Sequence, residues 1–212
     1  AGRHVAQFVR SGHCGSVREV RCWHSPNPWA PHTRPAEPPK TLDWDLWLGP
    51  ARWVPYHPGL CPGNFRWVLW SGGGNIRDRG AHIFGIVSWA MNVDHTGPVS
   101  VEATGTPRPG LYDNPVTMSA RWEFQDPRWT LHWDQPGEPH GGEYGARFVG
   151  DRDTLDFWDS FHTQPKAMVE PRPGEVALER STNHMSNFLD CVRTRRRPIM
   201  DVAIGHRVTT LC

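Results

Sequence analysis

Between Val116 and Trp133 the chain keeps a hydrophobic period of two on both sides of a turn. Val116, Met118, Ala120, Trp122 and Phe124 alternate with Thr117, Ser119, Arg121 and Glu123. After Gln125-Asp126-Pro127-Arg128, Trp129, Leu131 and Trp133 alternate with Thr130, His132 and Asp134. Successive strand side chains point to opposite faces, so two such runs across a short turn form an antiparallel hairpin. Val99, Val101 and Ala103 alternate in the same way, and Gly15 to Trp23 reads as a further strand. Shorter strands fall at Ala146–Val149 and Thr154–Trp158.

Helical spacing takes over elsewhere. Val5, Phe8 and Val9 form one face of an opening helix that Ser11-Gly12 ends. From Asn75 to Asn92, a stripe of Ile76, Ile83, Ile86, Val87 and Ala90 predicts a longer helix. A last helix opens near Ser181, with Met185, Phe188, Leu189 and Val192 on one face, and Val208 to Cys212 reads as the start of another. Six prolines between Ser25 and Lys40 forbid regular structure there, which makes this stretch an extended arm. Leu42 to Pro50 is a short helical turn stopped by Gly49-Pro50. No run of βαβ units is visible. The fold class is therefore α+β: an open, mostly antiparallel sheet with helices on one face and an aromatic-rich opposite face.

At 212 residues the chain suits one packed domain with an appended arm. Twelve tryptophans offset a modest aliphatic content, so a folded domain is expected. Net charge is +1, and the one basic run, Arg193 to Arg197, reads as a solvated helix end flanked by Asp190 and Asp201. Nucleic acid is not an expected partner. No stretch approaches the roughly 18 apolar residues of a membrane span. Cys14, Cys22, Cys61, Cys191 and Cys212 are scattered, without a CxxC pair, so free thiols are the expectation and a structural zinc site is not. Free thiols favour a cytoplasmic setting, and the periplasm stays open because the start of the protein is expected to be missing.

The chemistry concentrates in Gly72-Gly73-Gly74-Asn75-Ile76-Arg77-Asp78-Arg79-Gly80-Ala81-His82. Asp78 and His82 are four apart, which stacks them on one helix face within reach of a common ligand. An imidazole near its ordinary pKa of about 6.5 suits proton transfer at neutral pH, and a carboxylate beside it can orient the ring or hold a hydroxyl. An exposed i,i+4 pair that merely stabilises the helix has the same spacing. The glycines lack GxGxxG spacing and no Lys-Ser/Thr follows, so they do not read as a phosphate cradle. Tyr56, His57 and Arg66, interleaved with Trp53 and Trp67, form a mixture suited either to hydroxyl-rich ligands or to loop packing. A metal role for Asp78, His82 and His57 lacks a third ligand at fixed spacing.

Leu42-Asp43-Trp44-Asp45-Leu46-Trp47-Leu48-Gly49-Pro50-Ala51, Pro55-Tyr56-His57-Pro58, Gly72 through His82, and His184-Met185-Ser186-Asn187-Phe188-Leu189-Asp190-Cys191-Val192-Arg193 with Asp201–Arg207 resemble the C-terminal domain of the Gfo/Idh/MocA oxidoreductases. The family takes its name from glucose-fructose oxidoreductase and inositol dehydrogenase. The resemblance implies a dihydrodipicolinate-reductase-like open sheet that often mediates homo-oligomers, preceded by a Rossmann domain that binds NAD or NADP and is absent here. Residues 1–14 would end the helix crossing from that domain, and residues 15–212 would be the substrate and oligomerisation domain, with the Pro-rich arm at 25–40. It further implies substrate-binding and proton-transfer roles for Asp78 and His82. Tyr56, His57, Arg66 and Asn75 are the expected substrate-binding residues, and no cofactor or metal ligands of this chain's own are expected. Two positions depart from the family pattern. The residue three after the histidine, often aspartate, is Gly85, and Val68-Leu69-Trp70-Ser71 replaces the usual Trp-Asp-aromatic-Ser. The family's Glu-Lys-Pro motif, which supplies a catalytic lysine, has no counterpart here.

The resulting expectation is the substrate half of an NAD(P)-dependent dehydrogenase of a sugar or polyol hydroxyl, inactive without its other half. The alternatives are an NAD-dependent glycosidase or lyase working by transient oxidation, and a non-catalytic oligomerisation or sugar-binding module.

Overall fold

The computed structural model describes residues 2–159, 162–165 and 173–212. The chain opens with α1 (Gly2–Arg10), which leads into β1 (Val17–Trp23). A long connection follows, carrying α2 (Trp44–Leu48), a 3₁₀ turn at Asn64–Trp67, α3 (Asn75–Asp78) and α4 (Gly80–Met91). Strands β2 (Ser100–Thr106), β3 (Thr117–Gln125), β4 (Arg128–Gln135), β5 (Gly145–Gly150), β6 (Thr154–Trp158) and β7 (His162–Gln164) come next, and α5 (His184–Thr194) and α6 (Val202–Leu211) close the chain. The strands form one open sheet in the order β2-β3-β4-β1-β5-β6-β7. Only the β1–β4 pair is parallel, with Val20 opposite Leu131 and Cys22 opposite Trp133. This is the expected α+β, mostly antiparallel architecture.

The hairpin forms as its alternation demands, with Trp122 opposite Leu131 and Phe124 opposite Trp129. One face of the sheet presents Val20, Cys22, Ala120, Trp122, Phe124, Trp129, Leu131, Trp133, Phe148, Leu155 and Phe157, all buried. Against it lie α1 through Val5, Ala6 and Val9 and α4 through Ile83, Phe84 and Val87. Phe84 meets Trp122 and Trp133 edge to face, at 5.4 and 5.5 Å between centroids. Each such large apolar side chain contributes about 1.5–3 kcal/mol on burial.

The aromatic-rich face is therefore the face the helices cover, not the opposite one. Indole and phenyl rings carry most of the buried area in a chain with few aliphatics, so they take the inward positions. The open face is polar. Glu19, Arg21, Arg121, Glu123, His132 and Asp134 line it, with Arg21–Glu19 at 2.7 Å, Arg121–Glu123 at 2.8 Å and His132–Glu19 at 3.3 Å.

Other elements also differ from expectation. The helix over 75–92 divides at Arg79, where the His82 amide donates to the Arg79 carbonyl at 3.1 Å, tightening that turn. The last helix begins at Val202, because Asp201 accepts from the Ala203 amide at 2.8 Å and caps it. The α5 stripe forms, but Met185, Phe188, Leu189 and Val192 face solvent. Spacing reports that a helix is amphipathic and says nothing of whether a partner is present to cover it. Strand β7 has no apolar alternation to announce it. In the basic run, Arg193 pairs with Asp190 and Arg197 with Asp201, both on the surface. Among the described residues, no helix is long and apolar enough to cross a membrane.

Candidate functional site

The site lies where the end of β1 meets the start of α3, and the arm holds the two together. Asn27, buried, accepts from the Asn75 amide at 2.8 Å and donates to the Pro115 carbonyl at 2.8 Å. Asn75, also buried, returns its own Nδ2 to the Ser25 carbonyl at 3.1 Å. Gly72, Gly73 and Gly74 make this approach possible. A Cβ on Gly72 would fall 2.2 Å from the Arg66 Cα, and one on Gly74 2.7 Å from the Asn27 amide, while Gly73 and Gly74 both take positive φ.

The same glycines spend their amides internally. Gly72 and Gly73 donate to the Val68 carbonyl at 2.9 and 3.0 Å, and Gly74 donates to the Arg66 carbonyl at 2.7 Å. With the Asn75 amide on Asn27, this run has no free N–H to cradle a phosphate, so its residues do not fit a pyrophosphate. Among the described residues, no group of three His, Cys, Asp or Glu converges as a metal site.

Folding the Gly run back over the 3₁₀ turn brings Arg66 to Asp78, with Nε 3.5 Å from Oδ1, and both remain partly exposed. Arg66 also donates to the Gly63 carbonyl at 2.9 Å. His82 sits on the exposed side of α4, and no hydrogen bond joins it to Asp78. Asp78 and Arg66 thus stand together, with the imidazole one turn further on. Asn75 lies directly behind them as a buried brace.

Tyr56 and His57 are engaged elsewhere. Tyr56 is buried against Trp44, edge to face at 5.1 Å, in a second small core with Leu48, and Trp44 stacks on Trp47 at 4.7 Å. His57 Nδ1 lies 3.2 Å from the Thr33 hydroxyl of the arm. No described hydrogen bond or ion pair links either residue to Asp78 or His82.

The structure adds residues that the sequence did not single out. His24, 6% exposed at the end of β1, stacks on Tyr144 at 5.7 Å with the rings 14° apart. Burial pushes its pKa below the ordinary 6.5, and Glu143, Arg79 and Asp78 all act on it electrostatically. Its imidazole is therefore neutral near pH 7 and shares surroundings with the Asp78 turn. Arg79 lies over the Tyr144 ring, 5.4 Å from its centroid. Loop 137–145 carries Tyr144 into place by packing on Trp23, whose Nε1 donates to the Gly142 carbonyl at 3.1 Å. A Cβ on Gly145 would meet the Trp23 ring at 2.6 Å. A lone histidine next to a tryptophan at a strand end carries no sequence signal, since its neighbours come from a loop more than a hundred residues away.

These features define an open-sheet α+β domain whose Gly-rich turn and Asp-x-x-x-His segment gather ionisable groups at one end of the sheet. Residues 22–114 match the family described as "Oxidoreductase family, C-terminal alpha/beta domain". That matched segment, less than half of the chain, is similar to the C-terminal domains of the Gfo/Idh/MocA oxidoreductases. Comparison with the curated proteins finds no match.

Among solved structures, the chain is similar to the WlbA dehydrogenase from Bordetella pertussis, determined with NADH and UDP-GlcNAcA. The TM-score is 0.58 and the identity 14%, over 98% of this chain and 54% of that one. It is also similar to a putative NADPH-dependent oxidoreductase from Desulfitobacterium hafniense, at TM-score 0.55 and 12% identity, over 99% of this chain and 57% of the other. GenD2 from gentamicin A biosynthesis, in complex with NAD, gives TM-score 0.52 and 17% identity, over 98% and 58%. These likenesses carry the fold. The chain spans a little over half the length of the solved structures it matches.

Proposed function

We propose that this chain is the substrate half of an NAD(P)-dependent oxidoreductase acting on a sugar or polyol hydroxyl. Residues 1–14 would lead in from a nucleotide-binding half, and residues 15–212 would bind the substrate. The observation that carries this reading is the Arg66–Asp78 pair one turn from an exposed His82, with the buried His24 at the end of β1 within the electrostatic reach of Asp78 and Arg79. The nicotinamide, held by the other half, supplies the hydride acceptor. Here, His82 takes the hydroxyl proton and Asp78 holds a neighbouring hydroxyl, while Arg66 orients the Asp78 carboxylate from 3.5 Å. His24 offers its free ring nitrogen as a further acceptor, and the Tyr144 face with Arg79 forms a wall for the sugar ring.

Tyr56 and His57 support the loop that presents Arg66, and Asn75 braces the turn. WlbA and GenD2, with their bound NADH, UDP-GlcNAcA and NAD, support a nicotinamide cofactor and a carbohydrate substrate. The solvent-facing stripe of α5 supports a further packed half, since soluble domains seldom leave such a contiguous apolar face uncovered. The alternating charges of the open sheet face suit a two-fold partner, so homo-oligomerisation is assigned there.

The test is His82→Ala in the complete protein, with turnover followed by reduced nicotinamide across a panel of sugars. Loss of about 10²–10⁴ in kcat is expected for a missing general base. Unchanged turnover with every sugar that the wild type oxidises overturns the role of His82. Sugar conversion without accumulation of reduced nicotinamide would mark a transient oxidation instead.

A further inference from the structure

His24 makes two contacts through one nitrogen. Its Nδ1 lies 3.1 Å from the Ser25 carbonyl oxygen and 3.1 Å from the Ser25 hydroxyl. A carbonyl oxygen only accepts, so Nδ1 carries the proton and Nε2 keeps its lone pair. The Ser25 hydroxyl donates in turn to Glu143 Oε1 at 2.9 Å, which leaves its own lone pairs free to accept from Nδ1. Glu143 is exposed, whereas His24 is buried and clamped between Tyr144 and Trp133, the latter 6.1 Å away. A continuous hydrogen-bonded path therefore runs from a buried imidazole to a carboxylate in water. The charged groups facing the ring are Glu143 from loop 137–145 and Asp78 and Arg79 from the α3–α4 turn.

We propose that Ser25 and Glu143 are positioning residues acting on the site through His24, holding Nε2 as its basic nitrogen and giving its Nδ1 proton a route to solvent. The inference rests on the reading that this site handles a hydroxyl proton. When Nε2 accepts a proton released in the site by way of His82, an Nε2–H bond forms and the Nδ1 proton passes to the Ser25 oxygen. The original Ser25 proton passes to the Glu143 carboxylate and from there to bulk water. Each group, Glu143 included once its proton has reached bulk water, ends with the number of protons it started with, and no electrons move along this path.

A purely structural role, in which the Ser25–Glu143 bond pins loop 137–145 to the arm, is separable. Glu143→Gln keeps an acceptor for the Ser25 hydroxyl and removes only the charge. The experiment is long-range nitrogen-15 NMR of the His24 ring in this chain, titrated with pH, for the wild type, Glu143→Gln, Ser25→Ala and the double variant. The expected result is the Nδ1–H tautomer in the wild type and a downward shift of the His24 midpoint in Glu143→Gln. That shift should shrink when Ser25 is absent and return with Ser25→Thr, which restores the hydroxyl. An Nε2–H tautomer, no shift in Glu143→Gln, or an equal shift with and without the Ser25 hydroxyl overturns the proposal. These spectra need neither substrate nor cofactor, so their failure is distinguishable from an inactive His82 or a wrong substrate class.

Discussion

Replacing Asn27 with alanine removes the brace between the arm and the Gly-rich turn, and the structure sets the size of the effect. Both side-chain bonds of Asn27 are short, at 2.8 Å, and the side chain is buried. Alanine leaves the buried Asn75 N–H and the Pro115 carbonyl without partners. A buried orphaned donor costs about 1–3 kcal/mol and a carbonyl somewhat less, so the loss is about 3 kcal/mol. For a chain of this size that lowers Tm by roughly 6–12 °C. Asn75→Ala forfeits one bond at 3.1 Å, onto a Ser25 carbonyl that still accepts from His24, and one long contact at 3.5 Å to the Pro26 carbonyl, and costs about 1 kcal/mol. Urea unfolding followed by tryptophan fluorescence measures both, and the midpoints should fall with the slope unchanged. An Asn27→Ala cost below about 1 kcal/mol, or a reversed order of the two variants, refutes the reasoning.

Two further predictions follow from glycine and from titration. Gly72→Ala places a methyl group against Arg66 backbone and should lower the urea midpoint well beyond the effect of helix propensity. Gly85→Ala meets only Val208 Cγ2 at 3.9 Å inside α4 and should raise stability by up to about 1 kcal/mol. Burial lowers the pKa of both His24 and His132 below 6.5. The unfolded chain then binds more protons than the native one, so this contribution to stability is complete above pH 6.5 and is lost as pH falls through the native values. The urea midpoint should therefore drop between about pH 7.5 and about pH 5.5, and His24→Gln should flatten that drop; a midpoint rising toward acid contradicts the sign.

Legibility in the sequence followed physical cause. The β3–β4 hairpin was readable because alternation and a turn are both local, and α1 because its three apolar residues share one face. Which sheet face the helices cover was not readable from any single strand. That choice depends on α1 and α4, whose docking is a long-range event. Periodicity identified α5 as amphipathic, yet Phe188 and Leu189 face solvent among the described residues, because a stripe does not report what covers it. In the site, Asp78 and Arg66 could be anticipated from a motif and a loop, and the structure joins them. Tyr56 looked equally suited to a ligand, but the local Trp44–Trp47 cluster absorbs it. His24 was invisible because its meaning comes from Glu143 and Tyr144, delivered by a distant loop that packs on Trp23.

The central claim is that this chain supplies the substrate side of a site whose nucleotide is held elsewhere. Calorimetric titration of NAD into this chain tests it most directly. With the Gly72–Asn75 amides all spent on internal acceptors, no saturable heat is predicted up to millimolar nucleotide, on the order of the weakest specific affinities. Saturable binding with a Kd on the order of micromolar would contradict the account.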